Sequence, residues 1–514
     1  MLSSLKGKKV LVTGGFGFIG SHLARALLQA GASVTIVARK IPVDRESAAL
    51  AKQVRIVIGD LQDEKVISEA LSGNELVYHL AASTPFQKNY SEGRSIDDLT
   101  ILFTLVKGCA VAGVRKIIFL SGHVVYGLPK KLPISEEHAT IPVHLYGTGK
   151  LSAELYLQQL CNSHGIEFVI ARASSCYGPG QMSKGAIPNF ITAALDDKTL
   201  SVPDRNIKRD YLYVEDAVYA LLACSQAKNK IYNIGGGQSY DLRTVAEIVV
   251  SLIGTGNIQA RASDDPLGNN LLDISLAQKE LGFFPKVELK EGLKKHLEWV
   301  KQKKNAPTFY VDFDGTLIDP FPRLYALHKK LCADFNIAAY SEVEFVNLKQ
   351  KGVFDETWLA HFLSAEDVKK YLATKSEILE SSEFLQHDVL FPFTRLTLEE
   401  LKKKGQVILV TRRKHSENLQ KQLHDLWIQH LFDGILVIGN SGGSKAELIK
   451  ANTQLMSSNS FIIGDTEDDI GAGKELGIKT IAVTSGMRGA EFLEGLKPDY
   501  IVKDISEIFR LGLF

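Results

Sequence analysis

A burst of glycine at the end of an apolar run constrains this chain more than any other stretch. Residues 8 to 20 read Lys8-Lys-Val-Leu-Val-Thr-Gly-Gly-Phe-Gly-Phe-Ile-Gly20. The apolar run Val10–Val12 stops at Thr13, and a helical pattern follows at once. Ile19, Leu23, Ala26, Leu27 and Ala30 recur at spacings of three and four, and Gly31 stands where a helix would stop. Strand, glycine turn and helix together predict a site for the diphosphate of a dinucleotide. Gly14 permits the tight turn, Gly17 keeps side chains away from the anion, and Gly20 lets helix and strand pack closely. The first helical residues, Phe18, Ile19 and Gly20, bring unpaired N–H groups and the positive end of the helix dipole to it. The spacing contains both Gly14-x-x-Gly17-x-x-Gly20 and Gly15-x-Gly17-x-x-Gly20, so the subtype stays open.

At 514 residues the chain is too long for one ordinary domain. Its 45% hydrophobic and 23% charged content is that of a soluble globular protein. A formal net charge of +1 advertises neither a nucleic-acid nor a membrane partner and leaves small molecules as the expected ligands. The five cysteines are scattered without a CxxC pair, which argues against a zinc site or disulfide framework and fits a reducing, cytoplasmic setting. No apolar run is long enough to span a bilayer, and the glycines after Val12 make the first apolar run a strand rather than a signal peptide.

Through the first 300 residues, short β-rich runs alternate with helical patterns: Ser33–Val37, Val54–Ile58, Leu76–Leu80, Lys116–Leu120 and Ile166–Ile170. That alternation predicts an α/β fold, a parallel sheet with helices on both faces, with ligands at the carboxyl ends of the strands. The second strand ends Val37-Ala-Arg39-Lys40, without the acid that would bind a ribose 2′-hydroxyl. Arg39 suits a 2′-phosphate, so NADP(H) is favoured over NAD(H). Tyr146 and Lys150 lie four apart in a helical pattern and share a face. A nearby ammonium lowers the pKa of a phenol, which makes a usable acid or base at neutral pH.

Thr13-Gly-Gly-Phe-Gly-Phe-Ile-Gly20, Gly59-Asp60, His79-Leu-Ala-Ala82, Val125-Tyr-Gly127, Tyr146-x-x-x-Lys150, Tyr177-Gly-Pro-Gly180 and Arg209-Asp-Tyr-Leu-Tyr-Val-Glu-Asp216 occur in that order. Together they resemble the extended short-chain dehydrogenases, the nucleotide-sugar epimerase/dehydratase family, over about residues 6–300. The resemblance implies a Rossmann domain with a small, discontinuous substrate lobe, in a domain 1–304. It implies Asp60 and Leu61 near the adenine and Leu80 and Ala81 near the middle of the cofactor. It also implies Arg209 and Arg261 on the diphosphate and ribose side of a nucleotide sugar, and a homodimer built on two helices. Tyr146 would take a proton from a sugar hydroxyl as hydride moves to the nicotinamide, with Lys150 on the cofactor ribose. One position departs from the family. Four residues before Tyr126, where a Ser or Thr is usual, stands Gly122. Ser121 is one residue earlier and on a strand end would face the other way. A backbone irregularity at Gly122 would re-aim Ser121 as the hydroxyl donor; His123 is the other candidate. His123 and Val124 also replace the acidic pair of the dehydratases, which disfavours a 4,6-dehydratase.

Glu288–Val300 is helical in pattern, and the charged stretch Lys301–Ala306 before Pro307 reads as a linker. A new strand then runs into Asp312-Phe-Asp314-Gly, two carboxylates on one side of a strand end, suited to a divalent cation. Val407–Val410 ends in Thr411, Lys445 opens a helical pattern, and Phe461–Asp469 is another strand ending in acids. This ordered set resembles the haloacid-dehalogenase-type phosphatases, over about 307–514, in a domain 305–514 with a helical cap at about 320–395. The resemblance makes Asp312 the nucleophile and Asp314 the general acid/base. Thr411 and Lys445 would hold phosphoryl oxygens, and Asp312, the Asp314 carbonyl, Asp465 and Asp469 would hold Mg²⁺. Arg412 and Arg413 are either anion-binding or plain solvated charge. The whole chain reads as a sugar epimerase or reductase fused to a phosphatase. The alternative is a phosphatase behind a catalytically degenerate, dinucleotide-binding regulatory module.

Overall fold

The computed structural model describes residues 5–39, 45–82, 92–181, 185–262, 268–439, 442–453, 456–457 and 459–514. The chain divides into two compact units, 1–41 with 49–301 and 42–48 with 302–514. The first contains strands β1 (Lys9–Thr13), β2 (Ser33–Ala38), β3 (Arg55–Ile58), β4 (Leu76–His79), β5 (Lys116–Gly122), β6 (Glu167–Ala173), β7 (Ser175–Tyr177), β8 (Thr199–Pro203), β9 (Lys208–Tyr213), β10 (Lys230–Ile234), β11 (Ser239–Asp241) and β12 (Asn257–Arg261). Seven of them form one parallel sheet in the order β10-β6-β5-β4-β1-β2-β3. Val10 and Val12 pack with Leu23 and Leu27 of helix Phe18–Gln29 on one face. Leu11 packs with Ile67, Val77 and Leu105 on the other. Burial on both faces is why these strands read as unbroken apolar runs. The chain order reverses between β1 and β4, which opens a crevice at the carboxyl ends of those two strands. Two small sheets, β11-β9-β7 and β12-β8, form the lobe beside it.

The turn after β1 depends on glycine. Gly14 has φ +70, and a Cβ there would stand 2.9 Å from the backbone nitrogen of Ala81. Gly17 donates its N–H to the Gly14 carbonyl at 2.9 Å and caps helix Phe18–Gln29, with no side chain bonded over the helix end.

The second unit holds β13 (Thr308–Val311), β14 (Ile318–Asp319), β15 (Val389–Leu390), β16 (Gln406–Thr411), β17 (Gly434–Val437), β18 (Ser460–Gly464), β19 (Lys479–Val483) and β20 (Tyr500–Val502). Its parallel sheet runs β17-β16-β13-β18-β19-β20, so β13 lies between β16 and β18. The antiparallel pair β14–β15 brackets a helical cap, Phe321–Asp334 through Ser382–Leu385, with its own core of Leu331, Trp358, Leu359, Tyr371 and Phe384. The expected linker at Lys301–Ala306 is instead helical: the helix that starts at Leu289 continues to Asn305. Lys303 and Lys304 fall in its last turn, where basic side chains suit the negative end of the dipole.

A Cβ on Gly20 would lie 2.1 Å from the Gly14 carbonyl oxygen, a backbone atom that cannot step aside. Gly20→Ala is expected to destabilise the first unit by about 1–3 kcal/mol, read as a lower midpoint in denaturant unfolding; an unchanged midpoint would contradict this packing.

Candidate active sites

At the first sheet edge, Thr13 ends β1 and His79 ends β4. The Ala81 N–H donates to Thr13 Oγ1 at 3.2 Å, and the same oxygen lies within hydrogen-bond distance of His79 Nδ1, at 2.7 Å. Burial, assisted by the charge of Lys150, pushes His79 down to about 3, so its ring is neutral. Leu80 donates its N–H to the Thr13 carbonyl at 3.2 Å, which fixes Leu80 and Ala81 against the glycine turn. His79, Ala81, Asp98, Phe119, Tyr146 and Lys150 line one cavity. Helix Leu145–His164 supplies Tyr146 and Lys150, and His144 caps it by accepting the Gly147 N–H at 2.9 Å. Lys150 Nζ donates to the Leu120 carbonyl at 3.0 Å and stands 5.9 Å from the Tyr146 ring centroid. Burial lowers its pKa to about 8 against the opposing charges of Asp98 and Glu154, so it stays an ammonium at neutral pH. Asp60 lies just past β3 and accepts the Gln62 N–H at 2.9 Å, while Leu61 packs against the core. Arg39 follows β2 and is exposed; Lys40 lies outside the described residues.

Ser121 is buried and spends its hydroxyl on Glu154, donating to Oε1 at 2.5 Å. Glu154 is held by Arg172, with Nε at 3.1 Å from both carboxylate oxygens and a second nitrogen at 2.6 Å. Arg172 also donates to the Tyr126 hydroxyl at 3.0 Å, which in turn donates to Asn233 at 2.7 Å. Gly122 is plain extended backbone, φ −151 and ψ 160, so no irregularity re-aims Ser121. The His123 ring stands 3.3 Å from the Ala173 carbonyl. Glu154 was legible in principle, since it continues the four-residue spacing of Tyr146 and Lys150. Arg172, on β6, carried no such signal.

Arg209 lies on β9 and is buried; it donates to the carbonyls of Gly268 and Lys208. Arg261 ends β12 and is exposed. The two therefore sit in different small sheets of the lobe.

In the second unit the ends of adjacent strands bring the expected acids together. Asp312 follows β13 and donates its N–H to the Ile463 carbonyl at 2.9 Å. Carboxylate oxygens of Asp312, Asp465 and Asp469 lie within 4.8 Å of one another. Lys445, 3% exposed, donates to Asp312 and to Asp469, each at 2.6 Å. Thr316 donates to Asp465 at 3.1 Å and the Met487 N–H does so at 2.6 Å. Thr466 donates to the far oxygen of Asp469 at 2.7 Å. Thr411 ends β16 and is buried. Burial pushes Asp312 well above the usual carboxylate range; Lys445 opposes this, and Asp469 and Asp465 add to it. Burial and the charge of Asp469 push Asp465 up to about 7. One ammonium against three carboxylates leaves negative charge in excess. A buried, all-oxygen donor set of that kind fits Mg²⁺.

Asp314 faces away from this trio, into a pair of arginines. Arg413 binds it in a fork, Nε at 2.6 Å and a terminal nitrogen at 2.7 Å, and Arg323 from the cap reaches it at 2.5 Å. Although burial opposes it, the two guanidinium groups hold the Asp314 carboxyl below its usual range. Asp388, at the cap's exit, lies 3.1 Å from Arg323 and 3.3 Å from Arg413. Arg413 is therefore buried structure rather than solvated charge, while Arg412 is half exposed and paired with Asp468 at 2.9 Å. The cap also grips the loop after β16: buried Glu380 accepts the N–H groups of Lys414 at 2.9 Å and His415 at 3.0 Å.

The family model of the NAD dependent epimerase/dehydratase family matches residues 10–235, and that of the haloacid dehalogenase-like hydrolases matches 310–483. A Methanocaldococcus jannaschii protein, provisionally named as a UDP-glucose 4-epimerase, is 31% identical over 303 residues, covering 57% of this chain and 98% of that one. The dTDP-glucose 4,6-dehydratase of Streptomyces niveus is 28% identical over 316 residues, covering 58% and 94%. Among solved structures, the UDP-glucose 4-epimerase of Thermotoga maritima with UDP-glucose superposes with a TM-score of 0.54 at 28% identity, covering 57% of this chain and 99% of that one. The UDP-glucuronic acid 4-epimerase of Bacillus cereus, in complex with UDP-glucuronic acid and NAD, gives 0.53 at 27% identity, covering 57% and 99%. Among the described residues, no helix is long and apolar enough to cross a membrane.

A Cβ on Gly122 would meet only a Val124 methyl at 3.6 Å and the Ala173 carbonyl at 3.7 Å, both ordinary contacts. Gly122→Ser is expected to change stability by less than about 1 kcal/mol. A larger loss in denaturant titration would show that the space at Gly122 is not open.

Proposed function

We propose that this chain, which belongs to the NAD dependent epimerase/dehydratase family and ends in a haloacid dehalogenase-like hydrolase domain, is a bifunctional enzyme. Its first domain is an NAD(P)-dependent epimerase or reductase of nucleotide sugars, and its second is a Mg²⁺-dependent phosphatase acting through Asp312. The observation that carries this reading is the meeting of Asp312, Asp465, Asp469 and Lys445 at the ends of neighbouring strands, with three buried carboxylates within 4.8 Å.

In the first site the cofactor, when bound, supplies the hydride acceptor and donor. The glycine turn holds its diphosphate through backbone N–H groups, since no side chain caps the helix behind it. Tyr146 moves a proton at the sugar hydroxyl, and the Lys150 ammonium favours its phenolate. Arg209 and Arg261 belong to the nucleotide-sugar side of this reading, through Arg forks on phosphate and ribose. In the second site Asp312, the Asp314 carbonyl, Asp465 and Asp469 would hold Mg²⁺, which would offset charge on the phosphoryl group. Asp312 attacks phosphorus, the bond to the alcohol oxygen breaks, and Asp314 delivers the proton that oxygen needs once its carboxyl has left the two arginines and become protonated, since paired with them it is a carboxylate. Asp314 then takes a proton from the water that hydrolyses the phosphoaspartate, while Thr411 and Lys445 hold the phosphoryl oxygens.

A second reading is favoured by one observation. Ser121 is bound to Glu154, and Gly122 offers no hydroxyl, so the first domain lacks the usual donor beside Tyr146. It would then bind a dinucleotide without turnover and leave the phosphatase as the working enzyme.

Two variants separate these readings. Asp312→Asn is expected to lower Mg²⁺-dependent phosphate release from an aryl phosphate by at least about 10³-fold. Tyr146→Phe is expected to abolish nicotinamide-linked conversion across a panel of nucleotide sugars. Wild-type activity on that panel that survives in Tyr146→Phe rejects the role given to Tyr146, and retained phosphatase activity in Asp312→Asn rejects the nucleophile. Cofactor choice is a further expectation. Arg39 is exposed after β2, and Val37-Ala-Arg39-Lys40 carries no acid; this supports NADP(H) binding tighter than NAD(H) by on the order of tenfold. Tighter NAD(H) in equilibrium titration would remove Arg39 as a ligand of a 2′-phosphate.

A further inference from the structure

A cavity beside the phosphatase carboxylates is lined by Asp314, Arg323, Leu324, Glu380, Arg412 and Arg413. Asp314 is its boundary with the reaction centre, two residues from Asp312. Three guanidinium groups border this one cavity, and the guanidinium fork suits carboxylate and phosphate oxygens. Each has a protein partner: Asp314 and Asp388 for Arg323 and Arg413, Asp468 for Arg412. Glu380 spends its carboxylate on the N–H groups of Lys414 and His415. The pairing is incomplete at Arg323, which is 3% exposed: Nε and one terminal nitrogen are both buried without a hydrogen-bond partner among the described residues, although Nε lies 3.1 Å from an Asp388 oxygen. A buried cationic donor left unsatisfied is costly, so its persistence marks a place where an oxygen belongs.

We propose that Arg323 and Arg413 form a seat for a second anionic group, a carboxylate or a phosphate, on the alcohol side of the phosphate monoester. The proposal rests on the phosphatase reading of Asp312. The seat works by exchange. In the described arrangement Asp314 fills it, with its carboxylate held by both arginines. An arriving oxyanion replaces that carboxylate on the same forks and frees Asp314 for the alcohol oxygen. A neutral alcohol has nothing to offer in return and leaves Asp314 paired. Because Arg323 belongs to the cap and Arg413 to the loop after β16, the second anion would also tie the cap to the core.

The test compares matched esters with the full chain and Mg²⁺. One pair is ethyl phosphate and 2-phosphoglycolate, which differ by a carboxylate. The other is glucose 6-phosphate and glucose 1,6-bisphosphate, which differ by a phosphate. The charged member of at least one pair is expected to exceed its neutral mate by about tenfold or more in kcat/KM, and the pair that shows the preference identifies the anion. Arg323→Gln is expected to bring that ratio toward one, with Arg323→Lys intermediate. Calorimetry without turnover provides a second readout: phosphonoacetate is expected to bind more tightly than ethylphosphonate in wild type, with the difference lost in Arg323→Gln. Ratios near one in both pairs, with the esters hydrolysed, overturn the seat and leave the phosphatase standing. A ratio unchanged in Arg323→Gln also overturns it. No hydrolysis of any ester, p-nitrophenyl phosphate included, overturns the phosphatase reading and the seat with it.

Discussion

A strand buried on both faces can offer chemistry only where it ends. Both sheets here obey that constraint. In the first, β1 and β4 end at Thr13 and His79, and the glycine turn and Lys150 gather at the same edge. In the second, β13, β16 and β18 run in register, so Asp312, Thr411 and Asp465 emerge together. The reacting groups are set by where parallel strands stop, and the apolar runs behind them hold that edge in place.

The second edge carries two opposite electrostatic arrangements a few residues apart. Three carboxylates share one lysine, which leaves them short of positive charge and suited to a divalent ion. Two residues on, Asp314 has two arginines for itself and Asp388 behind them. The chain leaves β13 at Val311, so the two-residue periodicity that would put Asp312 and Asp314 on one side no longer applies, and the two carboxylates meet different partners. Asp312 bonds Lys445 among the acids and Asp314 bonds Arg323 of the cap, so the two carboxylates sit in fields of opposite sign although they share one short peptide.

Much of this was legible in the sequence. The glycine turn, the parallel sheet implied by alternating patterns, and the acids at strand ends all follow from local spacing. Arg323 and Asp388 were not legible as partners of Asp314, because they enter from the two ends of the cap and no periodicity links them. Ser121 shows the same limit from the other side. The alternation rule places it opposite Gly122, but only the fold supplies Glu154 and Arg172 to receive it. The charged stretch 301–306 misled for a physical reason: lysine and glutamine are good helix formers, and charge alone does not end a helix.

The grip of Glu380 on the loop after β16 has a dynamic consequence. Its carboxylate satisfies the amides of Lys414 and His415, and its own carbonyl accepts from Asn418 at 2.9 Å. Lifting the cap strips those amides of their acceptor, so their exchange with solvent deuterium proceeds only as fast as the cap opens. Two neighbouring backbone protons thus act as a clock for a motion that otherwise leaves no chemical trace, and anything that holds the cap down slows them together.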